Sequence, residues 1–134
     1  MSMQLDTIVP LGRSRREYEA MFALSPLDLK KRILGCGDGP ASFNAEMSAD
    51  GYDVVSVDPI YRFSAEEIRR RFDEVASGIF TRVRATPDDW VWGFHRSPDE
   101  LQQTRSRVVE MFADDFARPE RRERYVLGEL PQLP

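Results

Sequence analysis

The apolar residues of the chain follow two patterns: short continuous runs, and recurrences at steps of three and four residues. The runs predict three strands, the first centred on Ile33 and Leu34, the second over residues 52–58 and the third over residues 125–127. Strands that are almost continuously apolar are typical of a parallel sheet that is buried on both faces. The longer steps predict helices between the strands. This alternation predicts an α/β fold in which right-handed crossovers join the parallel strands.

Four serines predict where helices begin, because each is followed three residues later by an acid. A hydroxyl and a carboxylate at this spacing satisfy free N–H groups of the first helical turn. The pairs predict two short helices before the first strand and two longer helices after the second, and they are Ser14 with Glu17, Ser25 with Asp28, Ser64 with Glu67, and Ser97 with Glu100. We assign residues 1–31 to an extended segment with two lid helices, and residues 32–134 to the sheet domain.

Three alternating glycines, Gly35, Gly37 and Gly39, lie between the first strand and a helix that is predicted to start near residue 40 and to end before Gly51. Glycines allow a tight turn and let a ligand approach without a Cβ in the way. The second strand ends on Asp58, and an acid about 20 residues after such glycines can accept hydrogen bonds from ribose hydroxyls. Because ligands of open parallel sheets bind at the carboxyl ends of the strands, this pattern predicts a site for an adenosine-containing cofactor.

The spacing of the glycines separates two cofactor classes. The dinucleotide fingerprint is G-x-G-x-x-G, whereas the third glycine here comes one residue earlier. The G-x-G-x-G form resembles motif I of the class I S-adenosylmethionine-dependent methyltransferases. The resemblance extends to the acid at the end of the second strand, Asp58, and to an apolar residue soon after it, Ile60. It also extends to a stretch near the end of the chain, in which a glycine and an acid are followed, after three residues, by leucine and proline. The matching residues are Gly128, Glu129, Leu133 and Pro134.

This resemblance to the cofactor-binding part of an uncharacterised branch of the family implies a Rossmann-like sheet, of which the chain carries strands one to three. It implies S-adenosylmethionine as cofactor and methyl transfer to an acceptor that the sequence does not identify. The glycines are expected to cradle the methionine portion, Asp58 to bind the ribose, and Ile60 with Glu129 to contact the adenine. The implied cofactor-binding residues are Gly35, Cys36, Gly37, Asp38, Gly39, Asp58, Pro59, Ile60 and Glu129.

The sequence departs from the family pattern in two places. Many members have an acid two residues before the first glycine, where this chain has Ile33, so Asp38 or a backbone carbonyl is expected to hold the ammonium group of the cofactor. The family's fourth motif, which lines the acceptor site, is absent. In the family's strand order, 3-2-1-4-5, strand one would then form an exposed edge. We therefore expect either part of a longer protein or pairing of this edge with another chain, such as a homodimer.

Composition narrows the class of protein. With 134 residues, of which 41% are hydrophobic and 31% charged, the chain predicts one globular domain. The net charge of −4 argues against a basic nucleic-acid face. We predict no membrane span and no secretory signal, and we expect a cytoplasmic protein. A single cysteine and a single histidine, Cys36 and His95, are too few for a structural zinc site.

Two other functions are compatible with the same pattern. One is a half-domain of a nicotinamide- or flavin-dependent oxidoreductase, and the other is a non-catalytic interaction module derived from a methyltransferase. No catalytic side chain is assigned, because S-adenosylmethionine itself supplies the reactive group. Residues 84–120 carry no motif that we can assign. Two sets of aromatic residues have different expected roles. One set is expected either to shape an acceptor pocket or to form an apolar lid, and it consists of Tyr18, Tyr61 and Phe63. The other set is expected to cover apolar surface, and it consists of Trp90, Trp92 and Phe94.

Overall fold

A computed structural model describes residues 4–89 and 95–130. Trp90, Trp92, Phe94, Leu133 and Pro134 lie outside the described residues. The helices and strands follow in the order α1 (Arg15–Met21), α2 (Pro26–Leu29), β1 (Ile33–Cys36), α3 (Phe43–Ala49), β2 (Val54–Val57), α4 (Ala65–Ala85), α5 (Pro98–Phe116) and β3 (Tyr125–Val126). Short 3-10 turns lie at Leu5–Thr7, Pro59–Arg62, Pro87–Asp89 and Pro119–Glu123.

The three strands form one parallel sheet in the order β1-β2-β3. Ile33 lies opposite Val54, and Val57 lies opposite Val126. Strand β1 therefore forms one edge of the sheet among the described residues, as predicted. The α/β class, the parallel direction of the strands and their order are confirmed, and the architecture is consistent with a partial Rossmann-like fold.

The helix starts follow the serine and acid pattern. Ser14, Ser25 and Ser64 each form a complete capping box with the acid three residues later, and the Ser97 hydroxyl accepts the N–H of Glu100. Helix α1 ends at Met21, two residues before Ala23, which adopts φ +51°. Helix α3 begins at Phe43 rather than near residue 40, because residues 40–42 instead pack under the N-terminal segment.

Helices α4 and α5 form an antiparallel pair on one side of the sheet. Arg69 near the start of α4 pairs with Asp114 near the end of α5, and Arg84 near the end of α4 pairs with Asp99 at the start of α5. An aromatic cluster joins α5 to β3 and to the turn after β2. Its members are Ile8, Ile60, Tyr61, Ile68, Phe112, Ala113, Phe116 and Tyr125.

Tyr61 is part of this buried cluster, so the expectation that it shapes an acceptor pocket or a lid is wrong. Its ring packs against Phe112, Phe116 and Tyr125. The sequence placed Tyr61 in a connection, whereas the short 3-10 turn after β2 rotates its side chain into the core. A second cluster lies under α3 and includes Leu29, Phe43, Met47 and Val54.

Two kinds of feature are absent from the described residues. None of the helices found in residues 4–89 and 95–130 is both long and apolar enough to cross a membrane. Within the same part of the chain, no group of three or more His, Cys, Asp or Glu side chains is arranged to hold a metal ion.

Candidate cofactor site at the glycine turn

The glycine turn continues β1 at the carboxyl end of the sheet. Gly37 and Gly39 have φ values of +73° and +54°, in the left-handed region that favours glycine. The N–H of Gly37 donates to the Val57 carbonyl at 2.8 Å, which ties the turn to the end of β2. No atom lies within 4 Å of the position that a Cβ on Gly37 would take. A ligand therefore has direct access to the backbone at Gly37.

Asp58 links the turn to the end of β2. Its Oδ2 accepts the N–H of Gly39 at 2.9 Å, and its Oδ1 accepts the N–H of Ile60 at 2.8 Å. Tyr61 donates its hydroxyl to the Gly39 carbonyl at 2.8 Å from the core side. Burial raises the pKa of Asp58; the two N–H donors oppose that rise, and the charge of Asp38 adds to it. Each Asp58 oxygen keeps a second lone pair with which it can accept a further hydrogen bond.

Asp38 lies beneath the turn instead of projecting from it. Its Oδ1 accepts the Tyr18 hydroxyl at 2.9 Å and its Oδ2 accepts the Ser56 hydroxyl at 2.5 Å, and the residue is 8% exposed. Burial raises the pKa of Asp38, and the two hydroxyl donors oppose that rise. The nearest oxygen would lie 2.0 Å from a Cβ on Gly35, so Gly35 is a glycine because the Asp38 carboxylate folds back over it.

The N-terminal segment closes the start of α3. A Cβ on Gly12 would lie 2.3 Å from the Pro40 carbonyl oxygen, so the two backbones are in close contact. The N–H of Ser42, the residue before α3, donates to the Arg13 carbonyl at 3.0 Å, and Ser42 is 0% exposed. The Ser42 hydroxyl donates to Glu46 at 2.7 Å. Protein groups therefore already occupy the approach to the α3 N-terminus.

A buried ion pair holds α1 against α5 beside the turn. Arg105 donates to both oxygens of Glu17, at 2.6 Å and 2.7 Å, and both side chains are almost completely buried. Burial alone would raise the pKa of Glu17, but hydrogen bonds from Arg105 and from the Ser14 N–H more than offset it, so the pKa is lowered. Since α1 carries Tyr18, this ion pair also positions the hydroxyl that contacts Asp38.

Three cavities meet at the backbone of Gly37. The first, of about 190 Å³, lies between the N-terminal segment and the turn and is lined by Arg13, Asp38 and Asp58 among others. The second, of about 190 Å³, lies at the ends of the strands and is lined by Cys36, Gly37, Val57, Pro59, Gly128, Glu129 and Leu130. The third, of about 370 Å³, follows the edge of β1 beneath the end of α1.

The nine residues that the sequence assigned to the site all line at least one of these cavities, which places them together around Gly37. Their surroundings differ. Glu129 is exposed, whereas Ile60 is 3% exposed and belongs mainly to the aromatic cluster. The sequence reasoning missed Gly12, Arg13 and Ser56. A glycine between Leu11 and Arg13 was the available signal, but its partner Pro40 is distant along the chain.

Comparison with known proteins adds one relative. The chain is 30% identical over 131 residues to an uncharacterised protein of Methanocaldococcus jannaschii, in a match that covers 97% of this chain and 58% of the archaeal protein. The chain thus spans a little over half the length of that relative. No protein family model matches the chain, and no solved structure matches it.

Proposed function

We propose that the chain binds S-adenosylmethionine and forms the cofactor-binding part of a methyltransferase. The observation that carries the proposal is the junction of Asp58 with the glycine turn at the carboxyl end of a parallel sheet, beside an open approach to Gly37. A carboxylate in this position has free lone pairs for the two hydroxyls of a ribose. S-adenosylmethionine, when bound, supplies an activated methyl group on a sulfonium.

The start of α3 favours this cofactor over a dinucleotide. Dinucleotide folds bind a pyrophosphate at the N-terminus of the helix after the glycines, where free N–H groups and the helix dipole attract anions. In this chain the Ser42 N–H is already bonded to Arg13, and Glu46 brings a negative charge to the same place. A nicotinamide or flavin dinucleotide would therefore need the N-terminal segment to move away.

The charges of the first cavity agree with a cationic ligand. Asp38 and Asp58 both line it, and Arg13 contributes a single positive charge. A sulfonium and an ammonium group gain Coulomb energy beside two carboxylates, whereas a pyrophosphate would lose it. We assign Asp58 to the ribose, the backbone of the glycine turn to the methionine portion, and Glu129 with Ile60, which lines the first cavity, to the adenine.

Asp38 contributes to this site indirectly. Both of its oxygens already accept hydrogen bonds from hydroxyl groups, so its first role is to hold the turn in place. In our proposal the backbone carbonyls of the turn, and not Asp38, bind the ammonium group of the cofactor. In our proposal Asp38 supplies negative charge behind those carbonyls. The protein's remaining part in methyl transfer is to align an acceptor with the methyl group and to exclude water.

The test is calorimetry with S-adenosylmethionine, S-adenosylhomocysteine and NADH on the unmodified chain and on Asp58→Asn. We expect the two adenosyl ligands to bind and NADH not to bind. The substitution should weaken binding of the adenosyl ligands about 10- to 100-fold, because a ribose hydroxyl loses a charged acceptor. Equal binding of NADH would favour the oxidoreductase alternative, and no binding of any ligand would favour an interaction module without a cofactor.

The chain offers a matched control at the other end of β2. Asp53 directly precedes the strand, is exposed and pairs with Arg32 at 2.9 Å, far along the strand from the glycine turn. Asp53→Asn removes the same charge from the protein and should leave the affinity unchanged within about twofold. If both substitutions weaken binding equally, net charge and not ribose contact explains the effect of Asp58→Asn.

A further inference from the structure

A series of buried hydrogen bonds, which we call the polar series, leads from the glycine turn to β3. Its members are Asp38 in the turn, Ser56 on β2, Asn44 in the first turn of α3 and Arg124 directly before β3. The three bonds that join them, in this order, measure 2.5, 2.9 and 2.7 Å. Ser56 and Asn44 are 0% and 1% exposed, so water does not compete for their hydrogen bonds.

Asp115 on α5 holds Arg124 at the far end of the polar series. Two guanidinium nitrogens of Arg124 donate to the two Asp115 oxygens, each at 2.8 Å. The Tyr125 hydroxyl donates to the same carboxylate at 2.7 Å. A bidentate pair of this kind fixes the orientation of a guanidinium. Arg124 therefore presents an N–H group to Asn44 in a fixed direction.

Arg124 determines which way the Asn44 amide points. A guanidinium can only donate hydrogen bonds, and a backbone carbonyl can only accept them. The Oδ1 of Asn44 accepts from Nη1 of Arg124 at 2.7 Å, and its Nδ2 donates to the Arg124 carbonyl at 3.0 Å. The reversed amide would place two acceptors together and two donors together. The NH2 group of Asn44 is therefore the end that faces Ser56.

Asn44 in turn determines the direction of the Ser56 hydroxyl. A serine hydroxyl has one proton, and the oxygen of Ser56 accepts an N–H of Asn44 at 2.9 Å. Its proton is left for Asp38 Oδ2, at a distance of 2.5 Å that is typical of a hydroxyl bonded to a charged carboxylate. Every donor of the polar series thus points toward Asp38, and successive bonds of this kind strengthen one another.

We propose that Asn44 is a positioning residue of the candidate cofactor site. Held by Arg124, it fixes the Ser56 hydroxyl as a donor to Asp38 and thereby favours the ionised carboxylate beneath the glycine turn. Burial acts in the opposite direction, since it raises the pKa of Asp38. The inference deepens the proposed function and rests on it for the ligand, because the negative charge that Asn44 maintains is the charge that attracts the ammonium group.

Other charged and titratable groups also face Asp38. Tyr18 on α1 donates its hydroxyl to Oδ1, and Arg13 in the N-terminal segment lines the same cavity. Asp58 at the end of β2 and Tyr61 in the following turn interact electrostatically with Asp38. The substitutions that test the proposal leave these four groups in place.

A double-substitution cycle on the pKa of Asp38 tests the proposal. The pKa is measured by NMR, from the chemical shift of the carboxyl carbon without ligand, in the unmodified chain, Asn44→Leu, Ser56→Ala and the double variant. We expect Ser56→Ala to raise the pKa by at least about 1, because the carboxylate loses a charge-assisted hydrogen bond. Asn44→Leu should also raise it, since the Ser56 oxygen can then accept the proton of neutral Asp38. The double variant should match Ser56→Ala alone, because Asn44 acts through the hydroxyl.

Ser48→Ala is the matched control. The Ser48 hydroxyl donates to Asn44 Oδ1 at 3.1 Å and accepts from Arg124 at 3.2 Å, so it contacts the oxygen end of the amide. Its removal should change the pKa of Asp38 by less than about 0.3. Asn44→Leu should fold, because the Arg124 guanidinium keeps its acidic partner and its carbonyl keeps the N–H of Ser56 at 2.7 Å. If it does not fold, Asn44→Ala removes the same amide with less bulk and replaces it in the cycle.

The pH dependence of ligand binding tests the consequence for the site. S-adenosylhomocysteine carries an ammonium group, whereas methylthioadenosine has the adenosine and the thioether but no amino-acid portion. In Asn44→Leu, the pH at which the affinity for S-adenosylhomocysteine falls should move upward with the pKa of Asp38. The pH dependence of methylthioadenosine binding should not move. An equal movement for both ligands would contradict the role of Asp38 toward the ammonium group.

Three results of the titration would overturn the role of Asn44: an unchanged pKa of Asp38 in Asn44→Leu, effects of Asn44→Leu and Ser56→Ala that add in the double variant, or an equal rise in Ser48→Ala. Additive effects would mean that Asn44 acts on Asp38 by another route than Ser56. The titration contains no ligand, so its outcome is independent of whether the chain binds S-adenosylmethionine. Failure of both adenosine ligands to bind would count against the proposed function alone.

Discussion

The three glycines of the turn are required for three different physical reasons. Gly35 has an ordinary φ, but the Asp38 carboxylate occupies the place of its missing Cβ. Gly37 combines a positive φ with open space, which suits close approach of a ligand. Gly39 has a positive φ and donates its N–H to Asp58. The first glycine therefore leaves room for a buried carboxylate, the second lets a ligand approach the backbone, and the third bonds the turn to the end of β2.

Gly35→Ala should destabilise the fold by about 2 kcal/mol in urea unfolding, because the added methyl group displaces Asp38 from its hydroxyl donors. The Asp38 side chain can rotate away only by leaving Tyr18 and Ser56 with unsatisfied buried hydroxyls. We expect the loss of stability without ligand present, since the clash lies within the protein.

Gly78→Ala is the matched control for this substitution. Gly78 lies inside α4, is exposed, and has nothing within 4 Å of an added Cβ. The change should stabilise the protein by about 0.5–1 kcal/mol, since alanine loses less backbone entropy in a helix. Stabilisation of similar size by Gly35→Ala would contradict the placement of Asp38 beneath the turn.

At the scale of elements, α1 depends on one buried ion pair for its position. Glu17→Gln should cost about 3 kcal/mol in urea unfolding, because it leaves the Arg105 guanidinium buried without a negative partner. The substitution keeps the size of the side chain, so packing is a minor part of the loss. We also expect weaker protection of the α1 amides in hydrogen exchange, since Arg105 anchors this helix to α5.

An exposed ion pair in the same chain shows how much of this stability cost is due to burial. Arg32 and Asp53 pair at 2.9 Å with both side chains largely in solvent. Asp53→Asn should therefore cost no more than about 0.5 kcal/mol, as is usual for surface ion pairs. Equal losses for Glu17→Gln and Asp53→Asn would mean that burial of the α1 pair contributes nothing.

The elements show which parts of the fold were predictable from the sequence. Local signals were sufficient for the starts of α1, α2, α4 and α5, because each capping serine and its acid lie within one turn. They were also sufficient for the strands, because the apolar runs are continuous. The start of α3 was not predictable, since the contact of Gly12 with Pro40 joins distant parts of the chain. The buried position of Tyr61 depends similarly on α5 and β3. The nine predicted site residues do meet around Gly37, but the support from Tyr18 and Ser56 needed the tertiary structure.

At the scale of the whole molecule, four carboxylates that are buried or half-buried fall into two groups with opposite pH dependence. Hydrogen bonds and positive charge from arginine more than offset burial at Glu17 and Asp115 and lower the pKa of each, so their stabilisation is present above their ordinary pKa and is lost as pH falls. Asp38 and Asp58 have raised pKa values. Their stabilising contribution is complete below the ordinary carboxyl pKa of 3.8 and is lost as pH rises through the folded-state values.

Asp38→Asn should reveal this second group. The folded protein binds the Asp38 proton more tightly than the unfolded chain does, so the unmodified protein loses stability relative to the variant as pH rises. We expect urea unfolding from about pH 4 to pH 8 to show that the free energy of unfolding of Asp38→Asn rises relative to that of the unmodified protein. This gain should level off above the pKa that Asp38 has in the folded protein. If the unmodified protein instead became more stable than the variant as pH rises, the hydrogen bonds from Tyr18 and Ser56 would lower the pKa of Asp38 by more than burial raises it. In that case the negative charge beneath the glycine turn would itself stabilise the empty site, and attraction of a cationic cofactor would no longer be needed to explain why the acid is there.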